Sequence, residues 1–118
     1  MILIIGGAGQ GKLDYVLQKT GYTPDQVAHT PEEARSKPVF DGLEQWPHLD
    51  EGALLAVNPD LILICDEVGC GVVPVDPAQR AWLEDVGRLC CRRAQRAERV
   101  ERSFCGLPMT LKGDKPWN

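Results

Sequence analysis

Residues 1–13 of the chain read Met1-Ile2-Leu3-Ile4-Ile5-Gly6-Gly7-Ala8-Gly9-Gln10-Gly11-Lys12-Leu13. The four large apolar residues at positions 2–5 predict a short strand buried on both faces, as in the centre of a parallel sheet. The residues after it match the spacing G-x-x-x-x-G-K, in which a glycine-rich loop wraps phosphate groups. The stretch therefore predicts a strand, a phosphate-binding loop (P-loop) and the start of a helix.

The loop has the physical properties that phosphate binding requires. Glycines let the backbone approach an anion, so that successive N–H groups can surround it. Lys12 adds a cation, and the helix that begins here points its positive dipole end at the same anion. Leu13 departs from the usual pattern, because a Ser or Thr hydroxyl normally ligates Mg²⁺ at this position. The predicted nucleotide-binding residues are Gly6, Gly7, Ala8, Gly9, Gln10, Gly11, Lys12 and Leu13, and the alternative is a strand-to-helix turn without a ligand.

A second buried strand is predicted at residues 60–67, Asp60-Leu61-Ile62-Leu63-Ile64-Cys65-Asp66-Glu67. It ends in two acids, which is the form of a Walker B element, where a carboxylate beside the P-loop positions Mg²⁺ or a nucleophile. A much shorter strand at 38–42 ends in Asp41. Together with the P-loop these strands predict a small α/β nucleotide-binding fold of the P-loop NTPase type, with a mostly parallel sheet flanked by helices.

The helices are predicted from apolar spacing and from residues that begin or end helices. They cover 12–20, a short turn after Thr30, 47–57 and 77–98, and a last strand covers 100–105. In the longest helix the buried face is expected to include Trp82 but not Arg93, since an isolated charge suits water. The arginines of this helix fit a solvated face balanced by acids better than a phosphate or RNA surface.

Composition limits the possible functions. The chain has 118 residues, of which 43% are hydrophobic and 25% charged, and a net charge of −4. We expect one domain spanning 1–118, and the acidic balance argues against nucleic acid as the main partner. The apolar runs are far shorter than the ~20 residues that cross a bilayer. The first run also lacks the basic flank of a signal peptide, so we expect a cytoplasmic protein.

The five cysteines do not form a C-x-x-C pair, and their number is odd. The two histidines, His29 and His48, are distant from them in the sequence. A zinc site or a disulfide framework is therefore disfavoured relative to reduced thiols. Cys65 and Cys105 end apolar runs and are expected to be buried like small hydrophobic residues.

Four motifs together resemble a known family. They occur in the order found in the bifunctional adenosylcobinamide kinase / adenosylcobinamide-phosphate guanylyltransferase of cobalamin biosynthesis. The most specific part is E-V-G-x-G-h-V-P, with h an apolar residue. The motifs are Gly6-Gly7-Ala8-x-x-Gly11-Lys12, Asp66-Glu67-Val68-Gly69-Cys70-Gly71-Val72-Val73-Pro74, Arg80 with Gly87-Arg88-Leu89, and Gly106-Leu107-Pro108-x-x-Leu111-Lys112.

The resemblance implies a P-loop enzyme with a RecA-like parallel sheet that phosphorylates the aminopropanol hydroxyl of adenosylcobinamide with ATP or GTP. It also implies a second step, in which GMP passes from GTP to that phosphate through a guanylylated histidine. The implied partners are a nucleotide and a corrinoid, and the family suggests a homo-oligomer. Carried over by position, the loop residues up to Lys12 would bind the triphosphate, Glu67 would lie by the metal or the acceptor, and Asp41 would fill the acidic position at a strand end. We therefore predict Lys12 and Glu67 as catalytic residues, and Asp66, Glu67 and Asp41 as Mg²⁺ ligands.

Three differences from the family pattern bear on function. Leu13 replaces the hydroxyl residue, Asp66 stands where the family usually has Asn, and the interval from Lys12 to Asp41 is shorter than usual. His29 is the only histidine in that interval, so it is the candidate for guanylylation, although an isolated loop histidine is usually a solvated surface residue. The leading hypothesis is a cobinamide kinase, and its rival is a non-catalytic or regulatory nucleotide-binding protein that kept the fold.

Overall fold

The computed structural model of the protein describes residues 1–67 and 76–113. The strands are β1 (Ile2–Gly6), β2 (Val27–Ala28), β3 (Val39–Asp41), β4 (Ile62–Asp66), β5 (Arg99–Phe104) and β6 (Leu107–Lys112). The helices are α1 (Lys12–Thr20), α2 (Pro31–Ala34), α3 (Glu51–Val57) and α4 (Pro77–Arg96), with 3₁₀ turns at Pro24–Gln26 and Leu43–Gln45. Within these residues no helix is long and apolar enough to cross a bilayer. Residues 68–74, which belong to the second motif of the family resemblance, lie outside the described residues.

The described strands form one sheet in the order β2-β3-β4-β1-β5-β6. Neighbouring strands are parallel except β6, which runs antiparallel to β5. The mostly parallel sheet predicted from the sequence is confirmed, and β1 lies inside it between β4 and β5. In the register of β1 and β4, Gly6 lies opposite Asp66. The P-loop and the acidic end of β4 therefore leave the sheet side by side.

Both faces of β1 are covered: its successive side chains point to opposite faces of the sheet, and each set packs into a core cluster. Leu3 belongs to a core cluster that includes Leu54 of α3 and Leu89 of α4. Ile4, the next residue, belongs to a second cluster that includes Val16 of α1. This explains the uninterrupted apolar run of β1, which has no polar face.

Two strands and one helix boundary differ from the sequence prediction. β2 and β6 were not predicted, since β2 has two residues and every residue of β6 is exposed. α3 begins at Glu51 rather than near Pro47, because the Asp50 side chain accepts a hydrogen bond from the Ala53 N–H at 3.1 Å and caps the helix. Side-chain capping of this kind satisfies backbone donors that have no partner within the helix.

The buried face of α4 corrects two predictions. Trp82 was expected in the core and is 38% exposed, whereas Arg93 was expected in water and is fully buried. At 20 residues α4 is about 30 Å long, while the five residues of β4 span roughly 17 Å. The first turns of α4 therefore extend past the sheet and leave Trp82 uncovered. Arg93 tolerates burial because its guanidinium pairs with Glu51 of α3.

The prediction for Cys65 is confirmed, and that for Cys105 is wrong. Cys65 is fully buried in β4, but Cys105 is exposed. Cys105 and Gly106 form the two-residue turn between β5 and β6, where both have positive φ, 52° and 74°. Two-residue hairpin turns favour this backbone twist. The turn geometry, rather than the apolar run before it, determines the exposure of Cys105.

We expect Glu51→Ala to lower the free energy of unfolding by about 3–5 kcal/mol, because it leaves a buried guanidinium without its carboxylate. Urea denaturation measures the change. Glu84→Ala is the control, since it removes an exposed carboxylate 3.8 Å from Arg88 and should cost less than about 1 kcal/mol. Arg93→Met in the Glu51→Ala background should recover most of the loss. Equal losses for Glu51→Ala and Glu84→Ala would contradict this account.

Candidate functional site

The lysine of the P-loop folds back over its own loop. The Lys12 ammonium donates hydrogen bonds to the carbonyls of Gly6 at 3.1 Å and Gly7 at 2.8 Å. It also lies 2.6 Å from Oδ1 of Asp66 at the end of β4. Lys12 is only 6% exposed, so these partners replace the water that its charge would otherwise need. The predicted loop cation and the predicted strand-tip acid are thus in direct contact.

The end of β5 and the turn between β5 and β6 hold the P-loop from the side opposite to β4. The Gln10 carbonyl accepts hydrogen bonds from Ser103 Oγ at 2.8 Å and from the Gly106 N–H at 3.2 Å. The Gln10 side-chain oxygen accepts a third from the Cys105 N–H at 2.5 Å. A β-carbon on Gly6 would lie 2.6 Å from the Ser103 carbonyl oxygen, so this position requires glycine. The sequence pattern of the loop contains no sign of this support.

A cleft of about 230 Å³ opens beside the loop. Asp41 and Asp66 reach it from the carboxyl ends of β3 and β4, the two strands next to each other in the sheet. Ligands of open α/β sheets bind at this edge. The cleft is lined by Gly9, Gln10, Gly11, Lys12, Leu13, Asp14, Asp41 and Asp66.

A second cleft of about 410 Å³ shares Asp41 and Asp66 with the first. Its other lining residues include His29 and Glu44. His29 follows β2 directly, and β2 pairs with β3 in parallel, so the histidine leaves the sheet at the same edge as Asp41. The structure therefore brings His29 together with two of the predicted acids, although its sequence context gave no such indication.

Glu44 was missed by the sequence prediction. It lies in the 3₁₀ turn after β3, is 7% exposed, and accepts a hydrogen bond from the Asp66 N–H at 2.9 Å. Burial raises the pKa of Glu44 above its usual value, and the charge of Asp66 adds to this. Burial also raises the pKa of Asp41. The sequence signal that could have identified Glu44 is its position three residues after Asp41, the acid predicted at the end of a strand.

Glu67 differs in surroundings from the other two predicted metal ligands. Its backbone N–H donates to the Gly6 carbonyl at 2.6 Å, and its carboxylate accepts a hydrogen bond from Arg102 of β5 at 2.9 Å. Glu67 is not among the described residues that line either cleft. The contacts of Glu67 join β1, β4 and β5 at the level of the P-loop.

The donor atoms of the site suit Mg²⁺ only in part. Asp41 and Asp66 offer carboxylate oxygens, which are hard ligands. Leu13 offers none, and its side chain packs on the apolar cluster around Ile4. Among the described residues no group of three or more His, Cys, Asp or Glu side chains is arranged to hold a metal ion. Mg²⁺ commonly uses one or two carboxylates together with substrate phosphates, and the two aspartates fit that pattern.

The fold and the loop define the class of the protein, which is an α/β protein of the P-loop NTPase type. The chain belongs to the family described as cobinamide kinase / cobinamide phosphate guanyltransferase, whose sequence pattern matches residues 43–111, more than half of its length. The matched range contains β4, α4, β5 and all but the last residue of β6. It does not contain the P-loop, so the assignment of that loop rests on its motif and geometry.

One curated relative is the bifunctional adenosylcobalamin biosynthesis protein CobP of Pseudomonas aeruginosa. The two sequences are 43% identical over 54 residues, which is 46% of this chain and 31% of the relative. The aligned part is thus less than a third of the relative's length. The family resemblance drawn from the four motifs is confirmed by the family match and by this relative.

We expect Glu44→Gln to stabilise the protein at neutral pH. The raised pKa means that the folded state binds the Glu44 proton more tightly than the unfolded state does. Unfolding free energy is therefore lost as pH rises from the ordinary carboxyl range through the raised value. Glutamine keeps an acceptor oxygen for the Asp66 N–H but carries no charge. In urea denaturation the gain over the unmodified protein should be larger at about pH 7.5 than at about pH 5.

The exposed Glu84 supplies the control for this measurement. Glu84→Gln should change stability little and equally at both pH values, because its side chain is 70% exposed. A Glu44→Gln protein that is less stable than the unmodified protein at pH 7.5 would show that the carboxylate is favourable where it lies.

Proposed function

We propose that the chain forms one nucleotide-binding domain whose P-loop holds the triphosphate of ATP or GTP, and that it phosphorylates a hydroxyl of a cobinamide substrate. The observation that carries the proposal is the contact of Lys12 with Asp66 in a cleft lined by loop residues 9–13. In the protein alone, the Lys12 ammonium forms an ion pair with a carboxylate and donates hydrogen bonds to two carbonyls. A polyphosphate offers the same kind of acceptor with more charge, so it competes well for this cation. The family supplies the reaction class.

In the proposed reaction the substrate hydroxyl oxygen bonds to the γ-phosphorus, and the bond from that phosphorus to the bridging oxygen breaks. The nucleoside diphosphate leaves, and the hydroxyl proton passes to a carboxylate. Lys12 and the loop N–H groups stabilise the charge that develops on the transferred group. Asp66 would hold Mg²⁺, which when bound neutralises phosphate charge.

Among the carboxylates, Asp41 has the surroundings best suited to accept the proton. It lines both clefts, and its raised pKa brings its basicity closer to neutral pH, where a general base works best. Glu67, the first candidate from the sequence, is assigned instead to the alignment of β1, β4 and β5 through Gly6 and Arg102. In this role Glu67 keeps the loop and the Asp66 carboxylate at a fixed separation.

A second candidate function is nucleotide binding without catalysis. The feature that favours it is Leu13. At this position a Ser or Thr hydroxyl is expected to ligate Mg²⁺, whereas the Leu13 side chain packs on the apolar cluster around Ile4. A regulatory protein of this kind would bind the nucleotide through Lys12 and the loop amides alone. Metal dependence separates this function from catalysis.

We expect Lys12→Ala to weaken ATP or GTP binding by about 10- to 100-fold, the equivalent of one charge-assisted hydrogen-bonded contact. Isothermal titration calorimetry measures the affinity, and Lys19→Ala, an exposed lysine of the same helix, is the matched control. In the catalytic case, Mg²⁺ tightens binding, adenosylcobinamide is phosphorylated, and Leu13→Ser increases the metal dependence. In the non-catalytic case, affinity is the same with and without Mg²⁺ and no product forms. Unaltered affinity in Lys12→Ala would refute both functions.

Guanylyl transfer is a further activity of the same family, and the position of His29 in the second cleft supports it. In this step an imidazole nitrogen bonds to the α-phosphorus of GTP and pyrophosphate leaves. The GMP group then passes to the phosphate oxygen of the substrate, which restores the histidine.

GTP labelled on the α-phosphate should leave an acid-labile label on the protein. The label should be lost in His29→Ala and kept in His48→Ala, which alters a histidine that is 81% exposed beside Asp85. Acid-labile labelling that survives in His29→Ala would assign the adduct to another residue. A complete lack of label in the folded protein would remove this activity from the proposal.

A further inference from the structure

Two thiols, one in β4 next to Asp66 and one in α4, lie in contact. The Sγ atoms of Cys65 in β4 and Cys90 in α4 are 3.2 Å apart, and both cysteines are free. A disulfide bond is about 2.05 Å long, so a shift of roughly 1.2 Å would bring the sulfurs to bonding distance. The two residues are 25 positions apart, and the fold alone brings them together.

The two cysteines differ in exposure. Cys65 is fully buried, whereas Cys90 is partly exposed. An oxidant from solvent therefore reaches Cys90 first. Cys65 does not need access to solvent, because its sulfur already touches the sulfur that would be oxidised. Cys91, the next residue of α4, is exposed and has no such neighbour among the described residues.

We propose that Cys65 and Cys90 form an oxidisable dithiol that a peroxide converts into a disulfide. In the first step the Cys90 sulfur takes a hydroxyl from hydrogen peroxide, the O–O bond breaks, and one water leaves with the thiol proton. In the second step the Cys65 sulfur bonds to the Cys90 sulfur and displaces that hydroxyl, which leaves as water with the Cys65 proton. The two thiols lose two electrons in total and the peroxide gains them.

The disulfide would act on the end of β4. Cys65 precedes Asp66, and its thiol also contacts the Asp66 carbonyl at 3.5 Å. Joining the sulfurs removes that donor and draws the strand end toward α4, away from the geometry that pairs Asp66 with Lys12. Oxidation should therefore change nucleotide affinity, a consequence that rests on the proposed function. The dithiol chemistry itself does not depend on it.

The test uses the full chain treated with hydrogen peroxide, then alkylated, digested and analysed by mass spectrometry. The expected result is a peptide pair linking Cys65 to Cys90 that disappears on treatment with dithiothreitol. It should form in Cys91→Ser and in a Cys70→Ser/Cys105→Ser protein, and should be absent in Cys90→Ser. In Cys65→Ala, Cys90 should instead accumulate a sulfenic acid that dimedone traps.

Two results would overturn the proposal. One is linkage of Cys90 to a cysteine other than Cys65, and the other is peroxide-treated protein in which both thiols remain free to alkylate. Because Cys90 is partly exposed, Cys90→Ser should fold, and circular dichroism verifies this. Calorimetry of the oxidised and reduced forms in the presence of Mg²⁺ then tests the consequence for nucleotide affinity, with a loss of about tenfold expected because a misplaced Asp66 would no longer hold the metal beside the phosphates. If the reduced protein binds no nucleotide, the proposed function fails while a mapped Cys65–Cys90 bond still stands.

Discussion

The contact between Lys12 and Asp66 depends on the parallel alignment of β1 with β4. Gly6 lies opposite Asp66 in that register, and the Glu67 N–H bonds to the Gly6 carbonyl at 2.6 Å. The loop that carries the lysine and the strand end that carries the acid therefore begin from fixed neighbouring points. A cation that is 6% exposed needs such a partner, because an unpaired buried charge costs several kcal/mol. The same requirement makes the loop receptive to a polyanion.

A second constraint comes from the far end of the described chain. Ser103 of β5 and the turn between β5 and β6 together donate three hydrogen bonds to Gln10, and the Ser103 carbonyl leaves no room for a side chain at Gly6. The P-loop is thus held between β4 on one side and the hairpin on the other. Its shape is a property of contacts that span about ninety residues of sequence. This gives the hairpin a structural role in the site even though β6 is exposed and adds little to the core.

The sequence predicted the parts of the fold that depend on local pattern. β1 and β4 are uninterrupted apolar runs, and the glycines with Lys12 have fixed spacing, so both strands and the loop were recognisable. Arg93 and Glu44 were not, because their burial depends on partners supplied by α3 and β4. Long-range pairing has no signal in a single sequence. β2 was missed for a related reason, since two residues show no periodicity and their burial comes from β3 and from the core clusters on the two faces of the sheet.

Under the proposed function, the order of the strands would also separate the two reactions in space. His29, Asp41, Asp66 and the P-loop follow β2, β3, β4 and β1, which are consecutive in the sheet. His29 therefore leaves the sheet three strand spacings from the loop, or about 14 Å at roughly 4.8 Å each. The α- and γ-phosphorus atoms of a nucleotide are joined through the β-phosphate by bridging oxygens, so they lie far closer together than this distance between His29 and the loop. A triphosphate held by the loop would present its γ-phosphorus beside the loop, and its α-phosphorus could not reach His29 in the same pose. Phosphoryl and guanylyl transfer would then need two placements of the nucleotide, for which the two clefts that share Asp41 and Asp66 would offer separate positions.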